Sequence, residues 1–157
     1  MINNLHDMSG EHSYDKFIRI LGDLDENNEL FELWSRQSGK TSTLNLLAFY
    51  YANIKNLKVL YMTNHNHYRH SYYDLESRLC GGGSFNVKVY SYKSIYVQSH
   101  LRAKNYNVFL FDDYRSDDVE KTLMKLSSEL KKYGKNATFI GLSNAYRGNE
   151  YNEYNKY

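Results

Sequence analysis

Strand-like and helix-like segments alternate along this chain, joined by connections too long for hairpins, and predict an α/β fold with a mostly parallel five-stranded sheet between two helical layers. Two further observations support it. Residues 108–111 form a continuous apolar run of the kind found in a strand buried on both faces. Leu44, Leu47, Ala48, Tyr51 and Ile54 recur at helical spacing directly after the apolar-rich run Leu30 to Trp34, which is a strand followed by a helix. A length of 157 residues suits one domain of this kind.

The elements follow in order. Phe17, Ile18, Ile20 and Leu21 share a helical face that Gly22 is placed to end, and Asp23 to Glu29 reads as an acidic loop, so residues 1–29 are expected to be a leading helix and loop. Leu30 to Trp34 is the first strand of the core, a tight turn occupies residues 35–41, and a helix follows. Leu57 to Thr63 is the second strand. Tyr72 to Leu79 is a short helix stopped by Gly81, Gly82 and Gly83, and Phe85 to Tyr92 alternates as the third strand. Ser94 to Arg102 reads as a connecting helix and Val108 to Phe111 as the fourth strand, closed by two aspartates. Asp117 and Glu120 make a capping box before Val119, Leu123, Leu126 and Leu130, with Gly134 placed to end that helix. Ala137 to Leu142 is the last strand. The core thus spans residues 30–147, and residues 148–157 are a polar tail expected to fray.

Composition excludes more than it assigns. No apolar stretch approaches the roughly 20 residues of a membrane helix, and the polar first ten residues lack the apolar region of a secretory signal. The expectation is a soluble intracellular protein with no membrane partner. Cys80 is the only cysteine, so no internal disulfide can form. A net charge of +2 does not by itself indicate a nucleic-acid partner.

Chemistry concentrates at three places. The phosphate-binding pattern G-x-x-x-x-G-K-[ST] is met by Gly39, Lys40 and Thr41, with Trp34 where the first glycine belongs. Between a strand and a helix, backbone N–H groups and the helix N-terminus can surround phosphate oxygens while Lys40 neutralises charge further out. Ser35, Arg36, Gln37, Ser38, Gly39, Lys40, Thr41 and Ser42 are therefore expected to bind the phosphates of ATP, with the Thr41 hydroxyl on Mg2+. The second place is the end of the fourth strand. There Asp112 is expected to hold the magnesium through its water shell, and Asp113 to act as the catalytic group that orients or deprotonates the attacking water. Glu is usual at that second position, and Asp113 is one methylene short, which leaves slow hydrolysis, or none, open beside full turnover. The third is Gly141-Leu142-Ser143-Asn144-Ala145, where small polar side chains, Asn144 above all, can sense the γ-phosphate. Arg36 and Arg147 are candidates for stabilising transition-state charge. The bland alternatives are an exposed basic turn at Lys40 and solvated aspartates capping a strand.

These residues resemble a known family. Ser35-Arg36-Gln37-Ser38-Gly39-Lys40-Thr41 looks like the deviant phosphate loop of the large terminase subunits that package DNA into viral capsids, in which Arg-Gln precedes Gly-Lys-Thr and the first glycine is often missing. Leu101 to Asn107 leading into Val108 to Asp113 is similar to the segment before that family's acidic strand, although Ala103 stands for Gly and Asp113 for Glu. Ser143-Asn144-Ala145 resembles its coupling motif. The resemblance runs from Leu30 to Arg147. It implies a three-layer P-loop NTPase fold and an ATPase that drives double-stranded DNA, working as a homo-oligomeric ring on a capsid portal, in the host cytoplasm or nucleus if the chain is viral. No room for the family's nuclease is expected in this length, so either a separate chain supplies cleavage or the domain is adapted to another task.

Two alternatives stay open. Val89 to Ile95 and Gly141 to Gly148 also resemble the T-Y-x-S-L and G-L-T-A-T-P-x-R stretches of the first motor domain of superfamily 2 helicases, although Asp112-Asp113-Tyr114-Arg115 replaces D-E-x-H. The other is an interaction module that holds ATP with little or no hydrolysis, for which Asp113 is the main support. His65, His67 and His70 with Cys80 lack the paired spacing of a zinc site. Lys131, Lys132 and Lys135 complement a helix C-terminus. Tyr50-Tyr51 and Tyr72-Tyr73 are expected to pack half-buried rather than to stack on bases.

Overall fold

The computed structural model describes residues 4–6, 12–24, 28–35, 38–63, 69–80, 86–92, 106–114, 128 and 137–144. Its elements are β1 (Asn4–His6), α1 (Ser13–Asp23), β2 (Glu29–Trp34), α2 (Lys40–Phe49), β3 (Val59–Thr63), α3 (Arg69–Cys80), β4 (Val87–Ser91), β5 (Val108–Asp112) and β6 (Thr138–Asn144). A π-helical turn, Tyr50–Ile54, extends α2, with the Lys55 N–H bonded five residues back to the Tyr50 carbonyl at 3.0 Å.

The protein is an α/β fold built on a parallel sheet. The strand order is β1-β2-β6-β5-β3-β4, and every pair is parallel. All five expected strands are present. A sixth, β1, extends the edge beside β2, within the segment read as helix and loop alone. Three residues, two of them polar, are too few to show a period of two, so only pairing with β2 reveals this strand. Between β2 and β3 the chain crosses over two strand positions, which β5 and β6 later fill.

Both faces of the sheet are buried, as a parallel sheet requires. On one face, Trp34, Val59, Tyr61, Val108, Leu110, Ile140 and Leu142 pack against Phe17 and Ile20 of α1 and Leu44, Leu47 and Ala48 of α2. On the other lie Phe31, Leu60, Met62, Phe109, Phe111 and Phe139, where Phe109 and Phe139 stack with centroids 5.0 Å apart. Tyr50 and Tyr51 pack as expected: Tyr50 stands edge-on to Phe17 at 5.4 Å, and Tyr51 is buried.

Element ends differ from expectation in physical ways. Gly22 does not end α1; it sits within the helix, which closes at Leu24 through backbone bonds to the carbonyls of Gly22 and Ile20. β5 runs on into Asp112 and β6 into Asn144, because pairing with neighbouring strands carries polar residues that an apolar-run reading stops before. The expected helices at 94–102 and 117–130, Gly81 to Gly83, and the tail lie outside the described residues, save Ser128, which is helical.

Candidate functional site

Parallel strands bring the carboxyl ends of β2, β6 and β5 to one edge. Trp34 pairs with Asn144, and Asp112 with Leu142, so residues far apart in sequence end side by side. Ligands bind open α/β sheets at this edge.

From there the chain turns into α2. Gly39 caps the helix with φ 77° and ψ 27°, left-handed backbone that glycine adopts without strain. Its carbonyl accepts both the Thr43 N–H and the Thr43 hydroxyl at 2.9 Å, which starts the helix at Lys40. A cavity of about 220 Å³ opens above the helix N-terminus, lined by Ser35, Ser38, Gly39, Lys40, Thr41, Ser42 and Asn144. Six of the eight residues expected to bind phosphates thus share one cavity wall; Arg36 and Gln37 lie outside the described residues, as does Arg147. Trp34 takes the first glycine's place without strain, since the chain there is still strand and its backbone is not left-handed.

Asp112 closes the site from β5. The Thr41 hydroxyl donates to its Oδ2 at 3.2 Å, and the Lys40 ammonium stands 3.6 Å from its Oδ1. Asp112 is 1% exposed, so this charge is set in a poorly solvated place and held by its partners. No protein-family model and no curated protein matches the chain. Its functional reading therefore rests on this arrangement. Thr41 and Asp112 thus present hard oxygen donors side by side, a set that would fit magnesium, held directly or through its water shell.

Asp113 is placed differently. It has φ 56° and is 7% exposed; its N–H bonds to the Leu142 carbonyl at 2.8 Å, and its Oδ1 accepts from the Ser143 hydroxyl at 3.4 Å. Asp113 is not among the residues lining the cavity. Asn144 is, and its Oδ1 is shielded from solvent with no hydrogen-bond partner among the described residues. Around Asp112, Tyr92 donates its hydroxyl to the Asp112 carbonyl at 3.0 Å. Burial first, then the negative charge of Asp112, pushes the Tyr61 and Tyr92 phenols well above their ordinary range, so both remain neutral.

Sequence reasoning missed the side chains beneath the loop. Lys16 of α1 is 2% exposed; its ammonium donates to the Ser38 carbonyl and lies 5.5 Å from the centre of the Trp34 ring. Trp34 Nε1 donates to Glu32 at 2.9 Å, and Arg19 grips the same carboxylate with two nitrogens at 2.6 and 3.0 Å. One signal was readable: Lys16 precedes Ile20 by four residues and adjoins Phe17, so a lysine sits on the apolar stripe. Among the described residues no cluster of three or more His, Cys, Asp or Glu side chains could hold a metal, and His65 and His67 lie outside them. Cys80 is buried, its thiol 3.8 Å from the Val87 carbonyl.

Proposed function

We propose that this chain binds ATP with magnesium at the loop of residues 35–42 and hydrolyses it, as the ATPase domain of a motor acting on double-stranded DNA. The observation that carries the nucleotide reading is the convergence of Lys40, Thr41 and Asp112, which are 71 residues apart from hydroxyl to carboxylate and meet at a helix N-terminus. Residues 38–42 would hold the phosphates, by backbone N–H groups and the Lys40 ammonium. Thr41 and Asp112 would hold the metal, whose chemistry when bound is to neutralise charge on the phosphate oxygens. The Lys40 ammonium stands 3.6 Å from Asp112 Oδ1; a bound triphosphate would compete for the ammonium and leave the carboxylate to the magnesium. The step to DNA rests on the terminase resemblance alone. It would bring a ring of copies and a capsid portal as partners.

A second reading is favoured by one specific contact. With its carboxylate held by Ser143, Asp113 would have to turn toward the cavity to reach a water, which supports a nucleotide-binding module of slow or absent turnover. One set of measurements separates the readings. Calorimetry should show Mg·ATP binding that Lys40→Ala abolishes; unchanged affinity would sink the site. Turnover raised by duplex DNA supports the packaging motor, turnover raised by single strands the superfamily 2 reading, and binding without turnover the module.

A further inference from the structure

The buried Lys16 has no part in the motif that defines the loop, yet it touches the loop at its centre. A lysine that is 2% exposed must have its charge compensated, because an unpaired buried ammonium costs several kcal/mol. Here the ammonium donates to the Ser38 carbonyl and faces the Trp34 ring. The same helix presses on the next residue: a Cβ at Gly39 would lie 2.9 Å from the Ser13 hydroxyl oxygen.

The consequence follows from peptide geometry. In a planar trans peptide the carbonyl and the following N–H point in opposite directions. With the Ser38 carbonyl drawn down to Lys16, the Gly39 N–H points the other way, toward the cavity that Ser38, Gly39 and Lys40 line. An ammonium on the carbonyl also polarises that peptide, making its N–H a stronger donor. Turning the peptide plane over would carry the donor away from the cavity and present a carbonyl dipole to an anion.

We infer that Lys16 is a positioning residue for phosphate binding: it locks the Ser38–Gly39 peptide with its N–H toward the cavity and supplies, from beneath the loop, a cation additional to Lys40. This rests on the nucleotide reading above. It gives α1 a role in ligand binding, since the helix carries the residue that orients a backbone donor of the loop. Trp34 belongs to the same device, because the Lys16 ammonium lies over its ring, 5.5 Å from the centroid.

The test is calorimetric titration of Mg·ATP into the full chain and into Lys16→Met and Lys16→Gln, well below the melting temperature of each. Melting without nucleotide is recorded in parallel. Met keeps the apolar stem and loses the donor; Gln keeps a neutral donor. The expected result is that Met weakens Mg·ATP binding about tenfold or more, or ~1.4 kcal/mol, with melting of the nucleotide-free protein little changed. Gln should recover part of the loss. A Met variant that binds as tightly as the wild type, or a Gln variant no better than a folded Met variant, overturns the inference. If Met does not fold, Gln decides: affinity several-fold below wild type supports the role, and equal affinity removes it. A wild type that binds no Mg·ATP defeats the nucleotide reading itself, which is a different outcome.

Discussion

Asp113 is the residue whose backbone and side chain make different demands. At φ 56° a side chain is strained, and Asn and Asp tolerate this region best among residues with a Cβ. Its carboxylate is meanwhile tied to Ser143 on the neighbouring strand. Asp113→Asn separates the structural from the proposed catalytic role, because an amide keeps the left-handed conformation and its oxygen can still accept the Ser143 hydrogen bond. The melting temperature should stay within a few degrees, while ATP turnover falls by about 100-fold or more, as for loss of a general base. Undiminished turnover would reduce Asp113 to a strut between β5 and β6. Reading Asp113 as a shortened Glu rests on comparison with related ATPases, not on its surroundings. The bond to Ser143, thirty residues later in the chain, was invisible there because it needs β5 and β6 to be neighbours.

At the scale of elements, β6 lies between the strand that feeds the loop and the strand that ends in Asp112. Its fit there depends on Gly141. A Cβ at this position would lie 2.6 Å from Phe31 Cε1 and 2.9 Å from Tyr114 Cδ1, and both rings are buried. Neither can withdraw easily, since Phe31 and Tyr114 pack edge to face with centroids 5.2 Å apart. Gly141→Ala should therefore destabilise the fold by about 1–3 kcal/mol, the usual cost of overpacking a core. Chemical denaturation will measure it, and a change below ~0.5 kcal/mol would show that the two rings yield freely. Sequence reading placed Gly141 at the head of a sensing motif. In the structure it is a packing glycine, and the cavity-lining member of that motif is Asn144.

For the molecule as a whole, the aromatic content determines behaviour in alkali. Burial, with smaller contributions from Tyr90 and Glu76, pushes the Tyr106 phenol up to about 12 from its ordinary 10.0. Burial, followed by the charge of Asp112, also raises Tyr61 and Tyr92 well above that ordinary value. A phenol with a raised folded pKa holds its proton more tightly in the native state than in the unfolded chain, so its stabilising contribution is complete below pH 10 and declines as pH rises toward 12 and beyond. Stability should accordingly be insensitive to these groups near neutrality and fall steeply above about pH 10. Tyr106→Phe should make that fall shallower. Denaturant titrations at a series of pH values check both, and a slope unchanged in the variant would mean that Tyr106 titrates alike in both states.

Local pattern was enough to determine the alternation of strands and helices, the parallel sheet buried on both faces, and the loop from Ser35 into Thr41 at a helix start, because each depends on residues close in sequence: an apolar run, a helical period, a glycine before a lysine. The last aspartate of an apolar strand also marked Asp112 as a partner for that loop. What tertiary structure decided are the relations between segments. The crossing from β2 to β3 leaves room for β5 and β6, and this alone sets Asp112 within 3.2 Å of Thr41. Docking of α1 alone turns Lys16 from a misplaced charge on an apolar stripe into a donor to the Ser38 carbonyl, twenty-two residues on. A buried charge is costly without its partners, and partners so far away in the chain are brought within reach only when the sheet and helices have packed.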